Sequence, residues 1–180
     1  MCGRFHFGIL PDDEGKKIKE RIEKLNLEYK EGEIFPTDKV LCIVPTETDI
    51  DFASLKWGIE SKSLLINARI ETLNEKITYK TIINNRCAII CNGFYEWDEK
   101  KYKYYIDFQE KYMYLACIFN KNNELVIITK DADNDFNKIH NRIPIIMNKE
   151  EMIDYLHNGL KDYSKKKLNI KAINEEIKLF

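Results

Sequence analysis

The chain has 180 residues, 44% of them hydrophobic and 33% charged, a length and balance that fit one globular domain with a real core. A formal net charge of −1 counts against a protein that coats nucleic acid by bulk positive charge, while leaving room for a local basic cleft. No segment approaches the roughly 20 apolar residues of a membrane helix, and the opening residues lack the apolar stretch of a signal peptide, so a cytoplasmic protein without membrane contact is expected.

From Glu14 to Leu27, Ile18, Ile22 and Leu25 recur at helical spacing among charges and predict an amphipathic surface helix. Val40–Val44, ended by Pro45, reads as a short strand, as do Phe52–Trp57 and Leu64–Ala68. Leu73–Ile83 is ambiguous between helix and loop. Arg86–Asn92 is a strongly apolar strand leading to a turn at Gly93, followed by Phe94-Tyr95-Glu96-Trp97. Tyr102–Phe108 and Tyr112–Phe119 look like a hairpin with Gln109-Glu110-Lys111 at its turn. Leu125–Thr129 follows as a strand, Asp133–Ile139 as a helical stretch with an Asp cap, and Ile143–Met147 as a short strand around Pro144. A last helix over Lys149–His157 stops at Gly159. Strands outnumber helices and short turns join them, which predicts a single, mostly antiparallel α+β domain with flanking helices.

The five cysteines (Cys2, Cys42, Cys87, Cys91 and Cys117) are an odd number and predict free thiols. Cys87 and Cys91 lie on one face of an apolar strand and have no second pair, so core packing is favoured over a metal site. Cys2 carries the most chemistry. A small second residue favours removal of the initiator Met, which would leave a terminal cysteine whose α-amine and thiol sit on adjacent carbons. Such a 1,2-aminothiol captures aldehydes: the amine forms a Schiff base and the thiol closes a thiazolidine ring. Asn67 stands where an apolar strand runs abruptly into polar residues, in a position suited to a cleft; taken alone, it reads as a turn residue. Glu96 places a carboxyl among aromatics after a buried strand, the setting either of a general acid–base group or of a solvated Glu flanked by core aromatics. His140 precedes a Pro-containing strand; taken alone, it reads as a surface or capping residue.

Four segments occur in order: Met1-Cys2-Gly3-Arg4-Phe5, Asn-Ala-Arg-x-Glu-Thr at Asn67–Thr72, Gly-Phe-Tyr-Glu-Trp at Gly93–Trp97, and Ile-His-x-Arg-x-Pro at Ile139–Pro144. Together they resemble the SRAP (SOS-response-associated peptidase) family over almost the whole chain. The resemblance implies a barrel-like fold and a monomer that shields abasic sites in single-stranded DNA by a covalent crosslink, without metal or cofactor, in the cytoplasm at the nucleoid. It implies that Cys2 is the nucleophile, that Asn67 holds the terminus and the sugar, and that Glu96 and His140 move protons. It also implies that Arg4, Arg69 and Arg142 grip phosphates and that Pro36 and Thr129 line the DNA cleft.

The segment Ile59–Ile66 is shorter than the family's usual stretch, which carries a Pro and a Trp that stacks on DNA. Glu33-Ile34-Phe35 replaces a frequent Arg-Tyr-Asn, and Ile143 a frequent Met. Two other classes remain as expectations to separate. An N-terminal-nucleophile peptidase or amidohydrolase would also use Cys2. A non-covalent single-strand-binding module would ignore the abasic site and bind in a salt-sensitive way.

Overall fold

The structure is a computed structural model that describes residues 2–108, 110–133, 136–163 and 166–173. Its strands are β1 (Arg4–Phe7), β2 (Gly32–Ile34), β3 (Lys39–Pro45), β4 (Ile50–Trp57), β5 (Asn67–Arg69), β6 (Arg86–Cys91), β7 (Gly93–Trp97), β8 (Lys103–Phe108), β9 (Met113–Phe119), β10 (Glu124–Asp131), β11 (Arg142–Pro144), β12 (Ile146–Met147) and β13 (Leu168–Ile173). The helices are α1 (Asp13–Leu25), α2 (Ile77–Lys80) and α3 (Lys149–Asn158), with single 3-10 turns at Ile70–Thr72 and Phe136–Lys138.

Two sheets share the core. The smaller has the order β13-β8-β7-β1-β2. The larger runs β11-β10-β4-β3-β6-β9-β12, with β5 attached to β10 and a further pairing between β10 and β9 that curls it strongly. The α+β class and the flanking helices agree with the sequence reading. The barrel does not: β11 and β12 branch off as short ends, β10 runs parallel to both β4 and β5, and the sheet is mixed and not closed into a barrel. The parallel pairs follow from the long excursion between β4 and β10, which returns the chain in the same direction.

The helix ends obey local chemistry. Asp12 accepts a hydrogen bond from Gly15 N–H at 2.8 Å and caps α1, whose Ile18 and Ile22 are buried. Asn26 adopts the left-handed conformation at its other end, with φ 51°. Asn148 and Glu151 form a reciprocal capping box on α3, and Gly159, at φ 87°, follows its last turn.

Three expectations need correction. Gly93 opens strand β7 instead of making a turn. Its lack of a side chain is what allows this, since a Cβ there would lie 2.5 Å from the Tyr105 ring and 2.7 Å from the Ile106 carbonyl oxygen. Secondly, β8 and β9 are not a hairpin: β8 pairs with β7 and β13, whereas β9 pairs with β6, β10 and β12. The burial explains it, because six consecutive residues of β9 are buried on both faces while β8 alternates. Thirdly, the stretch from 133 to 139 supplies a 3-10 turn at Phe136–Lys138; residues 134 and 135 of the expected helix lie outside the described residues. The ambiguous 73–83 segment contains one helical turn, α2.

The interface between the sheets is filled by large side chains. Phe5 meets Trp57 with ring centroids 5.2 Å apart, and Phe94 meets Phe136 at 5.9 Å. The Trp57 indole N–H donates to the Ile66 carbonyl at 3.0 Å, which anchors the segment entering β5. Cys42, Cys87, Cys91 and Cys117 are fully buried in this core as free thiols.

Candidate active site

Strand β1 positions Cys2. The register Arg4↔Tyr95 with antiparallel β7 carries the preceding residues toward the Glu96–Trp97 end of that strand. The neighbouring side of the site is β5, aligned with β10 by Ile127↔Asn67 and Thr129↔Arg69. Across this junction Asn67 Nδ2 donates to the Cys2 carbonyl oxygen at 2.8 Å. Asn67 Oδ1 is buried and has no hydrogen-bond partner, so this amide has an acceptor to offer to a donor that enters the site. The Tyr79 hydroxyl donates to the Asn67 carbonyl at 3.2 Å and steadies its backbone.

Cys2 is fully buried, and its thiol lies 4.0 Å from the Arg4 carbonyl oxygen. Burial, and next the negative charge of Glu96, push the thiol up to about 12. It is therefore protonated at neutral pH. Glu96, on β7, is itself buried at 5% exposure. Alternation along the strand explains the placement: Phe94 and Glu96 face the core while Tyr95 and Trp97 face outward. Cys2, Asn67 and Glu96 thus lie together at this junction. Met1 lies outside the described residues.

His140 follows the 3-10 turn and is half-buried. Its Nδ1 accepts the Arg142 backbone N–H at 2.9 Å, which leaves the proton of a neutral ring on Nε2. It lines one groove together with Trp97, the residue after Glu96.

The residues expected to meet nucleic acid divide into two kinds. Arg69 is exposed, and its charge helps hold the nearby Glu71 carboxyl below its usual range, after the larger effect of Arg142. Pro36 sits half-buried in the turn before β3, where Thr37 takes a positive φ of 80°. Arg4 is engaged: it pairs with Glu33 at 3.1 Å, and its guanidinium lies over the rings of Phe35 at 4.3 Å and Trp97 at 4.9 Å. Lys103 reaches the same Glu33 oxygen at 3.0 Å. Burial works against the Glu33 carboxylate, but the hydrogen bonds from Lys103 and Arg4 hold it below its usual range. Thr129 is fully buried and donates to the Ala68 carbonyl at 3.4 Å.

Arg142 is buried and nearly saturated. It donates to Glu71 through both terminal nitrogens at 2.8 and 2.9 Å, to the Thr129 carbonyl at 2.8 Å, and to Asp131. Its Nε is buried without a partner. A phosphate reaching this guanidinium would have to displace a carboxylate. The sequence reading gave no role to Glu71, Asp131, Glu33 or Tyr79. Glu71 and Glu33 had a signal, since they lie inside the Asn67–Thr72 and Glu33–Phe35 segments; Asp131 and Tyr79 had none.

The chain matches the family model described as "SOS response associated peptidase (SRAP)" over residues 1–179. It is 28% identical to the abasic site processing protein YoqW of Bacillus subtilis (strain 168), over 87% of this chain and 80% of that protein. It is also 28% identical to the abasic site processing protein YobE of the same organism, over 87% of this chain and 82% of that protein. A crystal structure of a Bordetella bronchiseptica protein superposes with a TM-score of 0.74 at 19% identity, covering 96% of this chain and all of that one. Among the described residues no helix is long and apolar enough to cross a membrane. With a family model spanning the chain and a fold shared with solved relatives, the protein belongs to the SOS response associated peptidase (SRAP) family.

Proposed function

We propose that this protein senses abasic sites in single-stranded DNA and shields them by a covalent crosslink through Cys2, acting as one domain and one monomer in the cytoplasm, without metal or cofactor. Removal of Met1 frees the α-amine of Cys2. The amine adds to the aldehyde carbon C1′ of the ring-opened sugar, and loss of one water gives a Schiff base. The thiol then adds across that C=N bond: sulfur bonds to C1′, the thiol proton passes to nitrogen, and a thiazolidine closes. The names of the curated relatives, abasic site processing proteins, support this reading.

The observation that carries it is the junction of Cys2, Asn67 and the buried Glu96. Because the thiol is pushed up to about 12, it is a poor first nucleophile, and the amine attacks first. Asn67 fixes the Cys2 carbonyl and offers its unpartnered oxygen to the amine or the sugar. Glu96 relays protons during ring opening and dehydration, and His140, with Nε2–H directed by its Nδ1 contact, assists transfer and reversal. Arg4, Arg69 and Pro36 form the DNA-facing wall in this reading, with Arg142 and Thr129 buried behind it, where Arg142 meets a phosphate only by giving up a carboxylate.

The test is incubation of purified protein with a single strand carrying one abasic site, followed by a denaturing gel. A heat-stable shifted band that disappears in Cys2→Ala is expected. Equal adduct in Cys2→Ala would overturn the assignment.

A further inference from the structure

Beside the site, a groove of about 860 Å³ runs from His140 along the turn that joins β7 to β8. Its inner wall carries Trp97 and Tyr104, and its rim carries Lys100, Lys101 and Tyr102, facing Lys138 on the opposite loop. Tyr104 is the cross-strand partner of Glu96, which places the groove one strand away from that buried residue.

The turn is stiff and preshaped. Asp98 accepts from the Tyr102 N–H at 2.9 Å and from the Tyr104 hydroxyl at 3.2 Å, while Lys101 N–H donates to the Asp98 carbonyl at 3.0 Å. Lys101 adopts a positive φ of 69°, a conformation that this network must hold in place. Asp98 accepts here from neutral donors and keeps its charge, but its carboxylate is taken up by Tyr102 and Tyr104 and forms no ion pair with Lys100 or Lys101. Among the described residues no carboxylate pairs with Lys100 or Lys101, with Asp98 and Glu99 their acidic neighbours on the same turn. Tyr102 is 61% exposed, an unusual position for a large aromatic unless something covers it.

Aromatic faces interleaved with unpaired cations are the chemistry that holds a nucleotide: a base stacks on the ring and its phosphate meets the ammonium groups. We propose that this groove binds the base-bearing nucleotide that flanks the abasic sugar on one side, with the base stacked on Tyr102 and the phosphates held by Lys100 and Lys101. Placement of the abasic sugar at Cys2 rests on the crosslinking function above; the groove itself stands on its own residues.

The experiment is a titration of wild type, Lys100→Glu/Lys101→Glu and Tyr102→Ala with labelled abasic single strands carrying flanking nucleotides on both sides, only the 5′ side, or only the 3′ side. On the two-sided strand the double lysine variant is expected to bind about tenfold more weakly and to lose roughly 1.4 from the slope of log affinity against log salt, the share of two phosphates on a single strand. Tyr102→Ala is expected to bind about tenfold more weakly, as loss of one stacked base predicts. Both deficits should shrink on one of the two truncated strands, the one lacking the nucleotide that the groove holds. Lys121→Glu, on the turn between β9 and β10 at the far end of β10, controls for bulk charge and should bind as wild type. Variants that bind the two-sided strand as tightly as wild type, or deficits equal on both truncated strands, would overturn the proposal. Crosslinking is read separately by denaturing gel. If wild type forms no adduct, the crosslinking function fails, and the same variants titrated with undamaged single strand still decide the groove.

Discussion

The side-chain amide of Asn67 donates to the carbonyl oxygen of Cys2 at 2.8 Å, joining the first strand of the small sheet to the short strand β5 of the large one. This hydrogen bond fixes Cys2 against a frame that belongs to the other sheet. Asn67→Ala leaves that buried carbonyl without its donor, a cost of about 1–3 kcal/mol. Crosslinking under single-turnover conditions should slow by roughly 10- to 100-fold, the rate equivalent of that energy. Asn67→Asp should rescue poorly, because a carboxylate offers no N–H to the carbonyl. Wild-type rates in Asn67→Ala would remove Asn67 from the site.

Burial of the Cys2 thiol has a pH signature. Its ordinary value of 9.0 rises to about 12 in the fold, first through burial and then through the charge of Glu96. The folded chain therefore binds more protons than the unfolded chain between those values, and the associated stability is complete below about pH 9 and is lost as pH rises toward 12. Wild type should lose more stability than Cys2→Ser across that window in paired denaturation series. At pH 8, Cys2 should also react with iodoacetamide far more slowly than an exposed thiol in a peptide of the same sequence.

Arg142 is held by Glu71, Asp131 and the Thr129 carbonyl while its own backbone N–H fixes His140. Arg142→Ala removes a buried guanidinium from Glu71 and Asp131, whose side chains are 46% and 84% exposed and stay hydrated, so chemical denaturation should show a loss of about 1–2 kcal/mol. Arg142→Lys should recover little of it, since an ammonium cannot reproduce the two-nitrogen contact with Glu71. The side-chain hydrogen bond from Arg142 outweighs the opposing effect of burial and holds Glu71 below the usual carboxylate range. Its contribution is present above the unfolded carboxylate value and is lost as pH falls through the lower folded one. The Arg142→Ala deficit should accordingly narrow in acid.

Gly93→Ala places a methyl 2.5 Å from the Tyr105 ring and 2.7 Å from the Ile106 carbonyl oxygen. The second contact is backbone and cannot rotate away. Overpacking of this kind costs typically about 1–3 kcal/mol, and it would separate β7 from β8 next to Glu96. Both the melting temperature and the crosslinking rate should fall together.

Periodicity in the sequence located α1, β3, β4, β6, β10 and α3, because each is long enough for its apolar spacing to stand out. The strands β1, β2 and β13 escaped it. β2 has only three residues, β1 four, and β13 is an edge strand with no buried residue. Alternation identified β8 and β9 as strands but could not say that they belong to different sheets, which is decided by contacts distant in the chain. The expected meeting of Cys2, Asn67 and Glu96 came from ordered motifs, since no local rule links residues 2 and 67. The engagement of Arg142 and Arg4 was not legible for the same reason: Glu71 lies 71 positions from Arg142, and Glu33 lies 29 from Arg4.

The most direct measurement is the intact mass of the product formed with abasic single-stranded DNA, followed by mapping of the modified peptide. The account predicts the mass of the chain lacking Met1 plus the DNA minus one water, with the sugar on the peptide that begins at Cys2. An adduct mapped to any other residue, or no adduct from protein whose Cys2 terminus is shown to be free, would contradict it.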